Sequence, residues 1–209
     1  MCTVNRRIAF LTSRWAHIFS GVLFGFIFLF FAGAHLLSFL KSHHVSLLIF
    51  ALSETLIVFF YVFRSKPLTI SVHGYDWLVA FLGTFLPLCY RPSEWGVLPI
   101  ADVLLMTGAI IQILSVLSLN RSFAIIAANR KIKTAGMYRF VRHPIYASYC
   151  LTLLGYVLTN TTLQNGLVYG LSMLFLYLRI ISEEKHLSLD PLYRDYKLKV
   201  RYKLIPYLL

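Results

Sequence analysis

Polar chemistry in this 209-residue chain can come from few places, because it carries only eight acids. Glu54, Asp76, Glu94, Asp102, Asp190 and Asp195 stand singly, while Glu183 and Glu184 stand together. Arg179 lies four residues before Glu183, so the two share one helical face. An i,i+4 salt bridge at a helix end would explain that pair without any function. Two adjacent carboxylates near a helix C-terminus oppose the macrodipole, however, and call for a compensating partner. A second group is Gly136-Met137-Tyr138-Arg139-Phe140-Val141-Arg142-His143-Pro144-Ile145-Tyr146. Pro144 suits the first turn of a helix, where its missing N–H costs nothing. Arg142 and His143 then stand at the helix mouth, beside unpaired backbone N–H groups, where a carboxylate or phosphate is well held. An ordinary basic cap meeting lipid headgroups would look the same. Cys2, Cys89 and Cys150 form neither a disulfide framework nor a zinc pattern, and the seven histidines lack metal-ligand spacing. No metal site is expected.

The elements that carry these groups belong to a membrane. Mean hydropathy is +0.72, 58% of residues are hydrophobic and 13% are charged. A soluble chain would be about 25% charged, so the apolar surface exceeds what one core could hide. Apolar segments run over about 15–40, 45–63, 75–90, 97–118, 145–158 and 165–181. The first two are long enough to cross a bilayer, which takes about 20 apolar residues. The third and fifth are short, and Pro87 is placed to bend the third. The first run is too long for the apolar part of a cleavable signal, so that helix is expected to stay. The fold class expected is all-α: a polytopic integral membrane protein of about five to six membrane segments. The turn 159–162 is short enough to force the last two apolar helices into an antiparallel hairpin.

Six crossings would place 18 of the 20 lysines and arginines on one side, leaving only Lys41 and Arg91 opposite. Such asymmetry predicts that both termini face the cytoplasm. The formal charge of +12 is therefore read as topology and attraction to anionic membrane lipids, with no nucleic acid as partner. The hairpin would also return Glu183 to the level of His143, making a pocket with anion-binding groups on one wall and carboxylates on the other. Tyr193, Tyr196, Tyr202 and Tyr207 interleave with the charges of the tail, which suits an interfacial helix and an anchored end.

Several ordered motifs carry a family resemblance. These are Arg121-Ser122-Phe123, Thr134-Ala135-Gly136-Met137-Tyr138-Arg139, Arg142-His143-Pro144-Ile145-Tyr146, Arg179-x-x-x-Glu183-Glu184 and Val200-Arg201-Tyr202-Lys203-Leu204-Ile205-Pro206. Together they resemble the isoprenylcysteine carboxyl methyltransferase family, in particular its bacterial-type members, alongside the phospholipid N-methyltransferases. The resemblance covers roughly residues 119–209 and divides the chain into N-terminal transmembrane helices (1–118) and a methyltransferase-like region (119–209). It implies S-adenosyl-L-methionine as cofactor, a lipid-like acceptor, and residence in the bacterial inner membrane. Carried over by motif, the cofactor-binding positions are Arg130, Lys131, Ile132, Lys133, Tyr138, His143, Pro144, Ile145, Tyr146, Glu183 and Glu184. Arg179 matches the arginine that contacts substrate and is the candidate catalytic residue.

Three positions depart from the family pattern. Asn120 stands where many bacterial relatives have glycine, Ser122 where the eukaryotic prenylcysteine enzymes have asparagine, and Met137 where proline is frequent. The Arg-His-x-x-Tyr pattern and the tail also resemble sterol reductases, so an NADPH-dependent reductase is the alternative enzyme, ranked lower because Glu183-Glu184 agrees better with the methyltransferases. A non-catalytic membrane protein of the same fold is the third reading. Glu54, mid-membrane in the second segment, is either functional or a protonated carboxyl bonded to a neighbouring helix, with His35 as a partner within reach.

Overall fold

The computed structural model describes residues 13–207 apart from His44, Pro92 and Glu94, and leaves out the side chains of residues 17, 42, 45–47, 50, 53 and 54. Glu54 is therefore placed in its helix by backbone alone, and its side chain lies outside the described residues. Seven α-helices follow in order among the described residues: α1 (Arg14–Ser42), α2 (Val45–Val62), α3 (Gly74–Phe85), α4 (Asp102–Leu119), α5 (Pro144–Thr159), α6 (Leu163–Leu187) and α7 (Pro191–Lys199). Each of the six apolar segments becomes one of the first six helices. Among the described residues, three stretches are long and apolar enough to cross a membrane, namely Arg14–Lys41, Pro99–Ser122 and Leu163–Leu187. The third and fifth helices are the shorter ones, as their sequences require. Pro87 does end the third: α3 stops at Phe85 and a 3₁₀ turn, Leu86–Cys89, takes over.

The outward surface is apolar. Phe19, Phe26 and Phe30 of α1 are each at least 66% exposed, a surface that suits hydrocarbon and not water. Inside, Ile57, Tyr61, Val116, Phe123, Ile145 and Ile180 anchor one core shared by α2, α4, α5 and α6. Helices α4 and α5 approach until backbone nearly meets backbone. A Cβ on Gly108 would fall 2.9 Å from the Ser148 carbonyl oxygen, and one on Gly155 would fall 2.8 Å from the Leu105 nitrogen. Small residues at the seam allow that contact, which between membrane helices is a main source of attraction.

The connectors gather at two ends. At one, Asn165 of α6 donates to the carbonyls of Arg91 (2.8 Å) and Asn160 (2.7 Å), and the Thr161 amide donates to Trp95 (2.9 Å). At the other, the Ser65 amide donates to Arg121 (2.8 Å), and the Arg142 and His143 amides donate to Tyr202 (2.9 Å) and Lys203 (2.8 Å). A two-residue antiparallel ribbon adds to this second end, pairing β1 (Thr69–Ile70) with β2 (Ala128–Asn129). Arg64, Arg121, Arg130 and Arg142 all belong to this knitted end, so the sequence's basic clusters are neighbours in space.

The hairpin departs from expectation. Helices α5 and α6 are joined by a short turn, but α5 packs mainly on α4 and α6 mainly on α3, with little contact between α5 and α6 themselves. They diverge toward the basic end, because each has a better partner elsewhere.

Candidate functional site

A pocket of about 780 Å³, its open mouth included, lies in that divergence. Helix α5 contributes Ile145, Tyr146 and Tyr149, α6 contributes Arg179, Glu183 and Leu187, and the tail helix contributes Tyr193 and Tyr196. The loop between α4 and α5 supplies Arg130, Lys131, Ile132, Lys133 and Tyr138, and Arg142 and His143 close the wall before α5. Ten of the positions singled out from sequence thus line one cavity: the run 130–133, Tyr138, His143, Ile145, Tyr146, Arg179 and Glu183.

Glu183 is held by Tyr146, whose Oη donates to Oε2 at 2.5 Å. The other carboxylate oxygen takes no hydrogen bond from the described residues. The Tyr146 ring stacks on His143, with centroids 5.4 Å apart and planes at 14°, and the Arg179 guanidinium carbon lies 5.1 Å from the same ring centroid. No ion pair joins Arg179 to Glu183 among the described residues, so the salt bridge that would have explained their spacing does not form. Arg179 instead donates from Nη2 to the Ile125 carbonyl (2.6 Å) and from Nη1 to Thr84 Oγ1 (3.1 Å).

Two expected site residues fall elsewhere. Pro144 is buried at the first turn of α5 and does not line the pocket. Glu184 also turns away, because neighbours on a helix point about 100° apart and cannot share a face. It accepts from Arg142 Nε at 2.7 Å, lies 3.2 Å from His143 Nε2, and has Lys197 and Lys203 at 3.9 and 3.8 Å. Arg142 Nη1 further donates to the carbonyls of Val200 (2.8 Å) and Arg201 (2.7 Å). The helix mouth does hold a carboxylate, but the carboxylate is the chain's own. The network fastens the tail over the pocket.

Asn129, Tyr149, Leu187, Tyr193 and Tyr196 are lining residues that motif reading did not assign. The tail tyrosines, three apart on α7, face inward and are buried, while Leu192 and Leu198 face out. Tyr196 Oη donates to the Tyr138 carbonyl at 2.6 Å. Burial first, then the Glu183 charge, hold the Tyr138 phenol well above its usual range; burial, then Glu184 and Glu183, do the same for Tyr193. Both phenols are neutral hydrogen-bonding groups at physiological pH. Several buried polar atoms of the lining have no protein partner among the described residues: Asn129 Oδ1, Arg130 Nε, Arg179 Nε and Tyr193 Oη. Leaving such atoms unsatisfied is costly, so a polar ligand fits here.

These features define a class: a helical membrane protein with a polar, partly cationic pocket where its apolar helices end. The family comparison narrows it. A model of the phospholipid methyltransferase family matches residues 97–193, which include every singled-out site residue. No curated protein matches the chain.

Proposed function

We propose that this chain is an S-adenosylmethionine-dependent methyltransferase that methylates a lipid-like acceptor at the cytoplasmic face of the membrane. The observation that carries the reading is the convergence of the motif residues on one pocket inside the segment similar to the phospholipid methyltransferases. The partnerless donors and acceptors in its wall suit a ligand as polar as this cofactor. The free oxygen of Glu183 would accept from ribose hydroxyls, and Lys131, Lys133 and the tyrosines would surround the remaining polar groups. When bound, the cofactor supplies an electrophilic methyl group on a positively charged sulfur.

What the protein adds is alignment. Displacement at a methyl group needs donor and acceptor in line at ~3–3.5 Å, with water kept out. Arg179, fixed by two hydrogen bonds and lying against Tyr146, is rigid enough to orient an acceptor. The fastened tail shields the pocket from the aqueous side, while the divergence of α5 and α6 leaves room for a lipid. A general base is required only where the acceptor must lose a proton. The 18-to-2 division of basic residues supports placing this end in the cytoplasm.

Titration calorimetry on detergent-purified protein tests the reading. Saturable binding of S-adenosylmethionine or its demethylated product, without binding of NADPH, is expected; the reverse would favour the reductase. Methyl-labelled cofactor added to membranes then identifies the acceptor from the lipid fraction that takes up label.

A further inference from the structure

The amide of Asn129, a residue of the pocket lining, has its orientation fixed from outside the pocket. Its Nδ2 donates to Asp190 Oδ2 at 2.6 Å. A carboxylate accepts and cannot donate, so the amide cannot turn round, and its oxygen is the atom left for a ligand. That Oδ1 is buried and has no partner among the described residues, on a side chain belonging to a residue only 6% exposed. The backbone is held as firmly. Asn129 pairs with Thr69 in the ribbon, and its carbonyl accepts from the Leu68 amide at 2.6 Å. Asp190 also organises a second lining residue. Its Oδ1 accepts from the Leu192 amide at 2.9 Å, which caps α7, and its carbonyl accepts from the Tyr193 amide at 3.1 Å. Tyr193 is 3% exposed, and its Oη is likewise buried without a partner among the described residues. Burial keeps that phenol protonated, so it has a hydrogen to donate. One aspartate thus gathers an acceptor that cannot become a donor and a hydroxyl with nothing to bond.

Buried groups without partners select a ligand by what it must supply. Asn129 Oδ1 calls for a hydrogen, and Tyr193 Oη for an acceptor close by. Adenine carries both on one edge, an exocyclic amino group beside a ring nitrogen. A ligand ammonium would suit the oxygen alone, but Arg130, the next residue in the chain, lines the same pocket, and two cations repel. The flat rings of Tyr138 and Tyr196 in the lining suit a flat base. Resting on the function proposed above, we infer that Asn129 and Tyr193 read the amino group and the adjacent ring nitrogen of the cofactor's adenine. Asp190, which is not part of the lining, is the positioning residue that fixes this reading. Hypoxanthine, with a carbonyl in place of the amino group, sets oxygen against the Asn129 oxygen and is rejected.

The test is calorimetry on the full chain in detergent with three ligands. These are S-adenosylhomocysteine, S-inosylhomocysteine, and methylthioadenosine, which keeps the base and lacks the amino-acid amine. Wild type should bind the inosyl compound roughly ten- to a hundredfold more weakly than the adenosyl compound. Asn129→Ala should bring that ratio to within a fewfold, and should weaken methylthioadenosine by the same factor as S-adenosylhomocysteine. Asp190→Asn guards against a variant that fails to fold, because asparagine caps a helix as well as aspartate does. An amide at 190 can donate as well as accept, so the Asn129 amide is free to turn. Near-normal thermal stability with a reduced preference for the adenosyl compound is therefore expected, a loss of selectivity that a merely structural role would not cause. Equal binding of the two nucleosides by wild type overturns the inference and leaves the proposed function standing. An unchanged preference in both variants also overturns it. So does an Asn129→Ala effect confined to S-adenosylhomocysteine, which would name the amino-acid amine as the partner. A stable wild type that binds none of the three removes the proposed function and this inference together.

Discussion

The adjacent glutamates offer the sharpest test, since one helix turns them to opposite tasks. Glu184 is buried with Arg142, their side chains 10% and 6% exposed, and among the described residues it is the only acid that guanidinium meets. Glu184→Gln leaves Arg142 charged and buried with two carbonyl oxygens as its remaining acceptors. Breaking a buried pair on one side costs about 3–5 kcal/mol. The retained carbonyl bonds favour the lower end, and Lys197 and Lys203, each more than a third exposed, add little. A loss of about 3 kcal/mol is therefore expected. Glu183→Gln should behave differently. Its described protein contact is the bond from Tyr146, which an amide oxygen can still accept, so stability should fall by about 1 kcal/mol or less. Cofactor affinity should instead fall roughly ten- to a hundredfold, as charge-assisted bonds to the ribose are lost. Thermal unfolding and calorimetric affinity, measured for both variants in one detergent, separate the two roles. A stable Glu184→Gln that no longer binds cofactor, beside a Glu183→Gln that binds it normally, would refute the assignment.

Arg179→Ala should leave cofactor affinity within a fewfold of wild type and depress turnover if, as proposed, Arg179 orients the acceptor; single-turnover assays with labelled cofactor check this. Asn120 ends α4 at φ 52° and ψ −135°, a conformation open mainly to glycine, so Asn120→Gly should stabilise the protein by about 1 kcal/mol in thermal unfolding. Gly108→Ala places a methyl 2.2 Å from Thr152 Oγ1 and should destabilise by about 1–3 kcal/mol by the same measurement. Reporter fusions at 42 and within 159–163 should report the far side of the membrane, and those at 66 and 130 the cytoplasm; a cytoplasmic signal from the α5–α6 turn would exclude the orientation.

Much of the helical framework was legible because hydropathy runs are long compared with the errors in their ends. The pocket's loop and helix-mouth residues were legible because they occur as ordered motifs. What escaped notice depends on contacts that no local pattern encodes. The ribbon of Thr69–Ile70 with Ala128–Asn129 is too short to show strand alternation. Glu183 and Glu184 are equivalent in sequence, and only the rotation of α6 against its neighbours decides which one meets the pocket. Tyr193 and Tyr196 suggested an interface, yet the inward half of α7 is the tyrosine face, drawn in by burial beside Tyr138. Asn120 was visible only as a departure from a glycine pattern, and its positive φ gives that pattern a physical cause.

The divergence of the last two apolar helices also follows from local choices that conflict with the simple hairpin. Thr162 caps α6 by accepting from the Asn165 amide at 3.0 Å, and buried Asn165 ties that turn to the loop carrying Arg91. The far end is thus fixed. From there α5 is drawn along α4 by the seam of Gly108, Thr152 and Gly155, where close backbone approach gives more contact than α6 could offer. Helix α6, rich in large residues, finds α3 instead, and Ser182 Oγ donates to Asp76 Oδ1 at 2.6 Å near the basic end. Two helices joined at one end and drawn to different partners must separate at the other. Had both packed tightly on each other, Tyr146 and Glu183 could still have met, but no cavity would remain beside them. The seam of small residues between α4 and α5 therefore serves the pocket as much as the fold.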